Sequence, residues 1–160
     1  GINVAAGSDI GTLTFTNGDI SGFSNRGIYS TDYIGVNRVD TLGKIVVSDA
    51  NFFGNGTGAG NTADVKLFGF DGEAVFDIVT FTGAGTPIAR DGNGKAIGSN
   101  RPDSAIEITG SLAAENSAHP MPLNSPAANI TITNVTVSGA YDKNPVALFH
   151  FSTVDAPASP

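Results

Sequence analysis

The sequence predicts an all-β solenoid, a fold in which one short unit of strands recurs along the chain and each copy stacks on the next. Three observations support this prediction: an alternating apolar pattern recurs, each copy leads into a glycine, and no segment has a sustained helical apolar period. Alternating apolar and polar residues are typical of a half-buried strand. A unit this short cannot bury its apolar face alone, so it has to pack against a neighbouring copy.

The clearest copy of the unit lies near the end of the chain. Two alternations, Ile130-Thr-Ile132 and Val135-Thr-Val137, are separated by Asn134 and lead into Gly139. A third alternation begins at Val146 after a short polar loop. The unit therefore predicts three short strands for each turn of the chain.

The first half of the unit recurs at residues 13–22, 45–54, 74–83 and 130–139. The glycines that end these copies are 32, 29 and 56 residues apart, so the last interval has to contain insertions. The second half recurs at residues 65–70, 146–151, 106–110 and 28–30, and a half-copy stands at residues 2–4.

The spacing within the first copy predicts a bend. Leu13 and Phe15 share one face of a strand, but Ile20 has the opposite parity. Asn17-Gly18 is the expected position of the bend, because both residues tolerate left-handed backbone angles.

Asn17, Asp49 and Asn134 stand at equivalent corners of successive copies. We expect a structural ladder in which each side chain bonds to the next one, and a calcium or sugar site is the alternative. The predicted interior residues are Leu13, Phe15, Ile20, Ile45, Val47, Phe52, Phe76, Phe81, Ile130, Ile132 and Val137.

The third copy is irregular because insertions at 84–104 and 111–128 flank its short strand at Ile106. Loops on a rigid scaffold often carry binding residues. The candidates here are Arg90, Arg101 and His119. Residues 1–153 are predicted to form one domain, and residues 154–160 a flexible tail or linker.

Three further local motifs have ordinary structural interpretations. Asp91 and Asn93 are weak calcium candidates, because Lys95 stands where an oxygen ligand is needed. The glycine-rich loop at 54–60 lacks the Lys-Ser/Thr pair and the helix of a phosphate site. The Asn-x-Ser/Thr sequons at Asn55, Asn129 and Asn134 are attributed to chance, since a corner residue such as Asn134 is expected to be too enclosed to carry a glycan.

Composition limits the classes of partner. The net charge is −7 and only eight Lys or Arg are present, which argues against nucleic acid as a partner. Cysteine is absent, so disulfides and thiolate metal sites are excluded. No apolar run is long enough to cross a bilayer. No cofactor is predicted, with calcium as the alternative, and the composition is typical of an extracellular chain with many tight turns.

The repeated unit, with its corner Asn and its Ser/Thr-Gly ending, resembles those of right-handed parallel β-helix proteins. Residues 64–76, 105–108 and 135–147 are similar to repeat segments of large secreted bacterial surface and calcium-associated proteins. The resemblance covers most of residues 2–152. It implies a right-handed parallel β-helix of four to five coils, secreted or at a cell surface.

The resemblance extends to β-helix enzymes. These lyases, hydrolases and epimerases of acidic polysaccharides cluster Asp, Lys, Arg or His outward on one strand ladder. Here the predicted outward row contains Tyr29, Lys66 and Glu107, so no two carboxylates stack. We expect Lys66 and Glu107 to form a surface ion pair worth less than ~1 kcal/mol. No catalytic residue is predicted, and the chain is interpreted as a structural or adhesive module. A carbohydrate-active enzyme, or its substrate-binding fragment, is the alternative.

Strand alternation predicts an outward aromatic stripe. Its members are Tyr29, Phe68, Phe70, Phe149 and Phe151, with Glu107 beside them. An exposed stripe of this kind marks a contact surface. We expect self-association or assembly with other extracellular subunits through the stripe, the loops or the open coil ends, with glycans as a further candidate. A bulge that reverses the parity, or insertions that cover the stripe, would remove this surface.

Overall fold

The computed structural model describes residues 1–34, 37–58, 62–83, 101–109 and 128–149. These residues form twelve β-strands and contain no helix. Ten of the strands form two five-stranded sheets in which every neighbouring pair is parallel.

The first sheet contains five strands. They are β2 (Ile10–Ser21), β6 (Leu42–Phe53), β8 (Glu73–Gly83), β10 (Asn129–Thr133) and β11 (Thr136–Gly139). The order is β2-β6-β8-β10, and β11 pairs with β8 beyond the end of β10.

The second sheet contains β1 (Ile2–Val4), β3 (Arg26–Thr31), β7 (Ala63–Phe68), β9 (Ser104–Thr109) and β12 (Val146–Phe149), in that order. The remaining strands, β4 (Tyr33–Ile34) and β5 (Asn37–Arg38), pair in an antiparallel ribbon. We define repeat 1 as β2 with β3, repeat 2 as β6 with β7, repeat 3 as β8 with β9, and repeat 4 as β10, β11 and β12.

The strand register follows the sequence repeat. Leu13 lies opposite Ile45, Ile45 opposite Ala74, and Ala74 opposite Ile130. These partners are separated by 32, 29 and 56 residues, the same intervals that separate the glycines. An all-β chain with parallel strands in two sheets is therefore confirmed, and this arrangement is compatible with a solenoid.

A bend lies where the sequence predicted it, within β2, β6 and β8 and between β10 and β11. Asn17, Asp49, Ile78 and Asn134 have positive φ angles of 54°, 48°, 54° and 53°. Register is kept on both sides of the bend, because Thr16 pairs with Ser48 and Gly18 with Ala50. The bend reverses the parity, so residues before and after it both face the interior.

Buried side chains from both sheets form one apolar cluster. The largest buried side chains in this cluster are Phe52, Phe70, Phe76, Phe81, Ile45, Ile28, Leu67, Ile106 and Ile108. The rings of Phe52 and Phe81 stack with centroids 4.9 Å apart. The predicted interior residues of repeats 2 and 3 are fully buried and Ile20 of repeat 1 is buried, but Leu13, Phe15, Ile130 and Val137 are half-buried and Ile132 is exposed. The interior is thus closed in the middle repeats and partly open in the outer ones.

The prediction that Phe70 faces outward is wrong. Phe70 is buried in the apolar cluster. Gly69, with φ of 76°, reverses the alternation just before it. A Cβ at Gly69 would lie 2.4 Å from the Tyr33 ring, so a larger residue does not fit at this turn.

Candidate functional site

The residues that were predicted to point outward lie in one row on the outer face of the second sheet. Strand register places Asn3, Tyr29, Lys66, Glu107 and Ala147 at one level of successive strands. This row has one carboxylate, which already bonds to Lys66. The described part of the row therefore does not supply the paired carboxylates of a glycoside hydrolase.

Lys66 and Glu107 form the predicted ion pair, but not at the surface. Lys66 Nζ lies 2.5 Å from Glu107 Oε1, and the two side chains are only 4% and 12% exposed. Burial lowers the pKa of Lys66, and the hydrogen bond to Glu107 opposes that effect. The expectation of a weak surface pair was wrong, because alternation gives the direction of a side chain and not whether the face is covered.

A groove lies beside the first strands of the second sheet. It has a volume of about 380 Å³ and is lined by Gly1, Ile2, Asn3, Asn25, Arg26 and Tyr29. The Arg26 guanidinium lies over the Tyr29 ring, 4.2 Å from its centroid. A cation, two amides and an aromatic ring at one groove can bind a polar, anionic ligand.

The predicted aromatic stripe does not form as expected. Phe70 is in the interior, and half-buried Phe68 packs against buried Tyr33 with ring centroids 5.4 Å apart. Tyr29 is half-buried beneath Arg26. The Phe149 side chain and Phe151 lie outside the described residues.

The predicted loop residues contribute little to the described structure. Arg90, Asp91, Asn93 and His119 lie outside the described residues. Arg101 is half-buried, and its backbone carbonyl accepts a hydrogen bond of 3.4 Å from Thr62 Oγ1. The prediction of these residues rested on their position in loops alone, and the described part of the structure shows no cluster formed by them.

The sequence did not predict a buried polar network at the corner before β7. The Asn55 side-chain nitrogen donates to the Ile20 carbonyl at 2.8 Å and to Asp64 Oδ1 at 2.9 Å. The Tyr141 hydroxyl donates to Asp64 Oδ2 at 3.0 Å. Asn55 Oδ1 accepts from the Phe23 amide at 3.2 Å. Because Asn55 is fully buried, it cannot carry a glycan in this fold.

Burial dominates the electrostatics of this corner. It raises the pKa of Asp64 to about 6, against the lowering effect of the hydrogen bonds from Asn55 and Tyr141. Burial also raises the pKa of Tyr141, and the Asp64 charge adds to that rise. The signal in the sequence was an Asp within the apolar run Ala63-Asp-Val65. Its partner Tyr141 is 77 residues away, which no local pattern indicates.

A second polar group lies in the same region. Asp103 Oδ2 accepts from Lys143 Nζ at 2.9 Å, and the Asp103 amide donates to the Thr62 carbonyl at 3.0 Å. These contacts connect repeats 2, 3 and 4 through residues just outside their strands. In the adjacent glycine-rich loop, the amides of Gly56 and Gly58 donate to carbonyls of repeat 1, so they are not free to hold a phosphate.

The corner ladder differs in its bonding from the prediction. Asn17 donates to its neighbour Thr16 at 3.2 Å, and Asn134 donates to Asp77 at 3.1 Å. Asn51 bonds across to Asp19 at 2.9 Å. Asn134 is exposed, so the expectation that it is enclosed was wrong. The equivalent corner residues share a backbone conformation and do not form one continuous side-chain ladder.

Both sheets expose apolar interior positions at the end formed by repeat 4. Ile132 lies opposite Phe76, and Leu148 opposite Ile108. The inner partners are at most 1% exposed, but Ile132 is 38% and Leu148 46% exposed. In the described part of the chain, β2 pairs only with β6 and β12 only with β9, so each leaves one strand edge free.

An acidic cleft of about 270 Å³ lies at another corner and includes Asp9, Asp32, Asp40 and Asp71. Among the residues whose positions are described, no three acidic or histidine side chains are placed to hold a metal ion. In the same residues, no helix has the length and apolarity needed to span a membrane.

Comparisons with family models, curated proteins and solved structures found no match for this chain.

Proposed function

We propose that this chain is a segment of a right-handed parallel β-helix and acts as a non-enzymatic structural module in a secreted or cell-surface assembly. Its function is to stack end to end on further β-strands of the same kind. The observation that carries this proposal is the contrast between the sealed interior of repeats 2 and 3 and the exposed interior positions of repeat 4.

Stacking would satisfy two physical needs at once. Burying a fully exposed Ile or Leu side chain contributes roughly 1.5–3 kcal/mol, so covering Ile132 or Leu148, which are 38% and 46% exposed, contributes roughly half of that. A parallel strand added at β2 or β12 would also pair backbone groups at edges that otherwise favour association. The added strand can belong to the same polypeptide or to another copy of the chain, since a strand from either source can pair with the free edge of β2 or β12.

The second sheet supports a role without catalysis. The row on its outward face combines Tyr29, Lys66 and Glu107, and the carboxylate of Glu107 is engaged by Lys66. A carboxylate held in a buried ion pair is poorly placed to transfer a proton to a substrate.

Sedimentation of the isolated chain tests the proposal. The wild-type chain is expected to associate in a concentration-dependent way, and Ile132→Asp combined with Leu148→Asp is expected to shift it to monomer. The matched control combines Phe53→Asp with Ile34→Asp, two exposed apolar positions away from the ends of the sheets. A wild-type monomer at all concentrations, or equal effects of both double variants, would reject end-to-end stacking.

The groove at Arg26 favours a second candidate, a carbohydrate-active or carbohydrate-binding role for acidic saccharides. Arg26, Asn3 and Asn25 supply a charge and amide groups beside the Tyr29 ring. Calorimetric titration with an acidic oligosaccharide tests this candidate. Binding that is lost in Arg26→Ala and retained in Lys44→Ala would support it, and absence of binding to the wild-type chain would exclude it.

A further inference from the structure

The two sheets end at different levels beside repeat 1. In the first sheet the outermost strand is β2 of that repeat, but in the second sheet β1 lies outside β3. β1 therefore holds the second-sheet position of a further repeat whose first-sheet position, beside β2, is filled by no described strand. This end of the described structure has a step one strand high.

The end formed by repeat 4 has both sheet positions filled, by β10 with β11 and by β12. Suppose that β10 of one copy pairs with β2 of the next. Repeat 4 continues from the first sheet into the second, so it brings β12 to the edge of β3 in the next copy. β1 already lies at that edge. A stack without gaps therefore requires β12 of one copy to take the place of β1 in the other.

The register shows that β1 and β12 are equivalent strands. Val4 of β1 lies opposite Ser30 of β3. The pairs of Ser30 with Leu67, Leu67 with Ile108 and Ile108 with Leu148 place Leu148 of β12 at the same level. Val4 is only 4% exposed, but Leu148 is 46% exposed. The same interior position is thus covered at the β1 end and open at the β12 end.

β1 is a short strand that follows the anchored part of the chain through a glycine. Three residue pairs join β1 to β3, whereas four join β12 to β9. Gly7, with φ of 75°, lies between β1 and β2, and its amide donates to Thr41 Oγ1 at 2.9 Å. The chain is therefore held to the segment before β6 from Gly7 onward, and residues 1–6 can leave β3 by rotation at this glycine.

The two ends are electrostatically compatible in this register. The three strands of repeat 4 contain no charged residue. Thr136 of β11 is level with Asp19 of β2, through the pairs with Thr80 and Asn51. Asn51 already donates to Asp19 at 2.9 Å across one level, so a Thr136 hydroxyl on the other side meets an acceptor. Stacking places no like charges opposite each other along these strands.

We propose that β1 is a cap strand, and that β12 of a second copy displaces it when two copies stack. This inference rests on the proposed end-to-end stacking and adds its register and its regulation. In the single chain, β1 covers the second-sheet interior of repeat 1. Because only chains whose β1 has left β3 accept a second copy, the cap weakens the apparent affinity by the fraction of chains in that open state.

A disulfide between β1 and β3 tests the cap. The chain has no cysteine, and Val4 and Ser30 are partners in adjacent strands about 4.8 Å apart, within the Cα range of disulfides. For Val4→Cys combined with Ser30→Cys, association of the oxidised chain should require a protein concentration at least about tenfold higher than association of the reduced chain.

The matched control is Val46→Cys combined with Val75→Cys, which links β6 to β8. Its oxidation should leave association unchanged. Equal association of the oxidised and reduced forms of the β1 variant would overturn the cap and leave stacking intact. If the wild-type chain and all of these variants stay monomeric, the proposed stacking itself is rejected.

Cross-linking of Ser30→Cys combined with Leu148→Cys tests the register independently. Three strand spacings, about 14 Å, separate the two residues within one chain, so they cannot bond to each other there. In the proposed stack they meet between copies, and oxidation should give open-ended covalent multimers, whereas Leu148→Cys alone should give dimers at most. Adding Ile2→Ser, which loosens β1, should raise the yield. A chain that sediments as associated but forms no such multimers would overturn the strand exchange.

Discussion

Two Lys–Glu pairs occupy outward faces of the two sheets, and their surroundings differ sharply. Lys44 and Glu73 of the first sheet lie 2.9 Å apart with side chains 36% and 43% exposed. Lys66 and Glu107 of the second sheet make the same kind of cross-strand contact but are nearly buried. The same residue pair is therefore a solvated surface contact on one sheet and a buried ion pair on the other.

The difference shows on which outward face the charged residues are important for the stability of the fold. An exposed pair contributes little, because water solvates both ions well without it. A buried pair is tightly constrained, since loss of one partner leaves a desolvated charge. The outward face of the first sheet is thus expected to tolerate substitution of its charged residues. On the middle strands of the second sheet, substitution of one outward charged residue is expected to destabilise the fold as a change in the interior would.

Lys66→Met sharpens this comparison most. It leaves Glu107 without its cation in a buried position, so we expect the free energy of unfolding to fall by about 3–5 kcal/mol. Lys44→Met, the matched change on the first sheet, should cost less than about 1 kcal/mol. Urea denaturation of both variants measures the difference. Combining Lys66→Met with Glu107→Leu should recover most of the loss, and similar losses in the two single variants would show that the pairs are equivalent.

Asn55→Ala makes the same comparison for amide side chains. It leaves buried partners of Asn55 unsatisfied, including the Ile20 carbonyl and the Phe23 amide, so we expect a loss of about 2–4 kcal/mol. Asn51→Ala removes only an exposed bond to Asp19 and should cost about 0.5 kcal/mol or less. Thermal unfolding of both variants provides the measurement. A destabilisation by Asn51→Ala as large as that by Asn55→Ala would refute the assignment of the stabilising contacts to the buried corner.

Ile78→Asn has a smaller expected effect than Lys66→Met or Asn55→Ala, and the opposite sign. Ile78 is exposed at a left-handed position, where a β-branched residue is strained and Asn is favoured. We expect a gain of about 1 kcal/mol, seen as a higher unfolding temperature. Val75→Asn, on the same strand without a positive φ, serves as the control. A gain in the control equal to that of Ile78→Asn would attribute the effect to lower surface hydrophobicity and not to backbone strain.

The strand register could be predicted because it depends on local, repeated information. The glycine intervals gave the partners Leu13, Ile45, Ala74 and Ile130 directly. The bend at Asn17 was also predictable, since parity changes between Phe15 and Ile20 in every complete copy.

The errors at single sites have physical causes that sequence spacing does not contain. Phe70 enters the core because one glycine conformation at Gly69 reverses the alternation. Lys66 is buried although its parity points outward. The Asp64 carboxyl accepts a hydrogen bond from Tyr141, which becomes its neighbour only after the repeats have stacked. The candidate sites rest on such long-range contacts, whereas the fold class rests on periodicity.

The dependence of amide hydrogen exchange on protein concentration tests the proposed stacking most directly. If copies of the chain stack end to end, protection of the amides in β2 and β12 should rise with concentration, and protection in β6 should stay constant. In the described structure, β2 and β12 each have one free edge, and β6 is paired on both sides. Exchange in β2 and β12 that is independent of concentration, in a chain that sediments as a monomer, would contradict the proposed function.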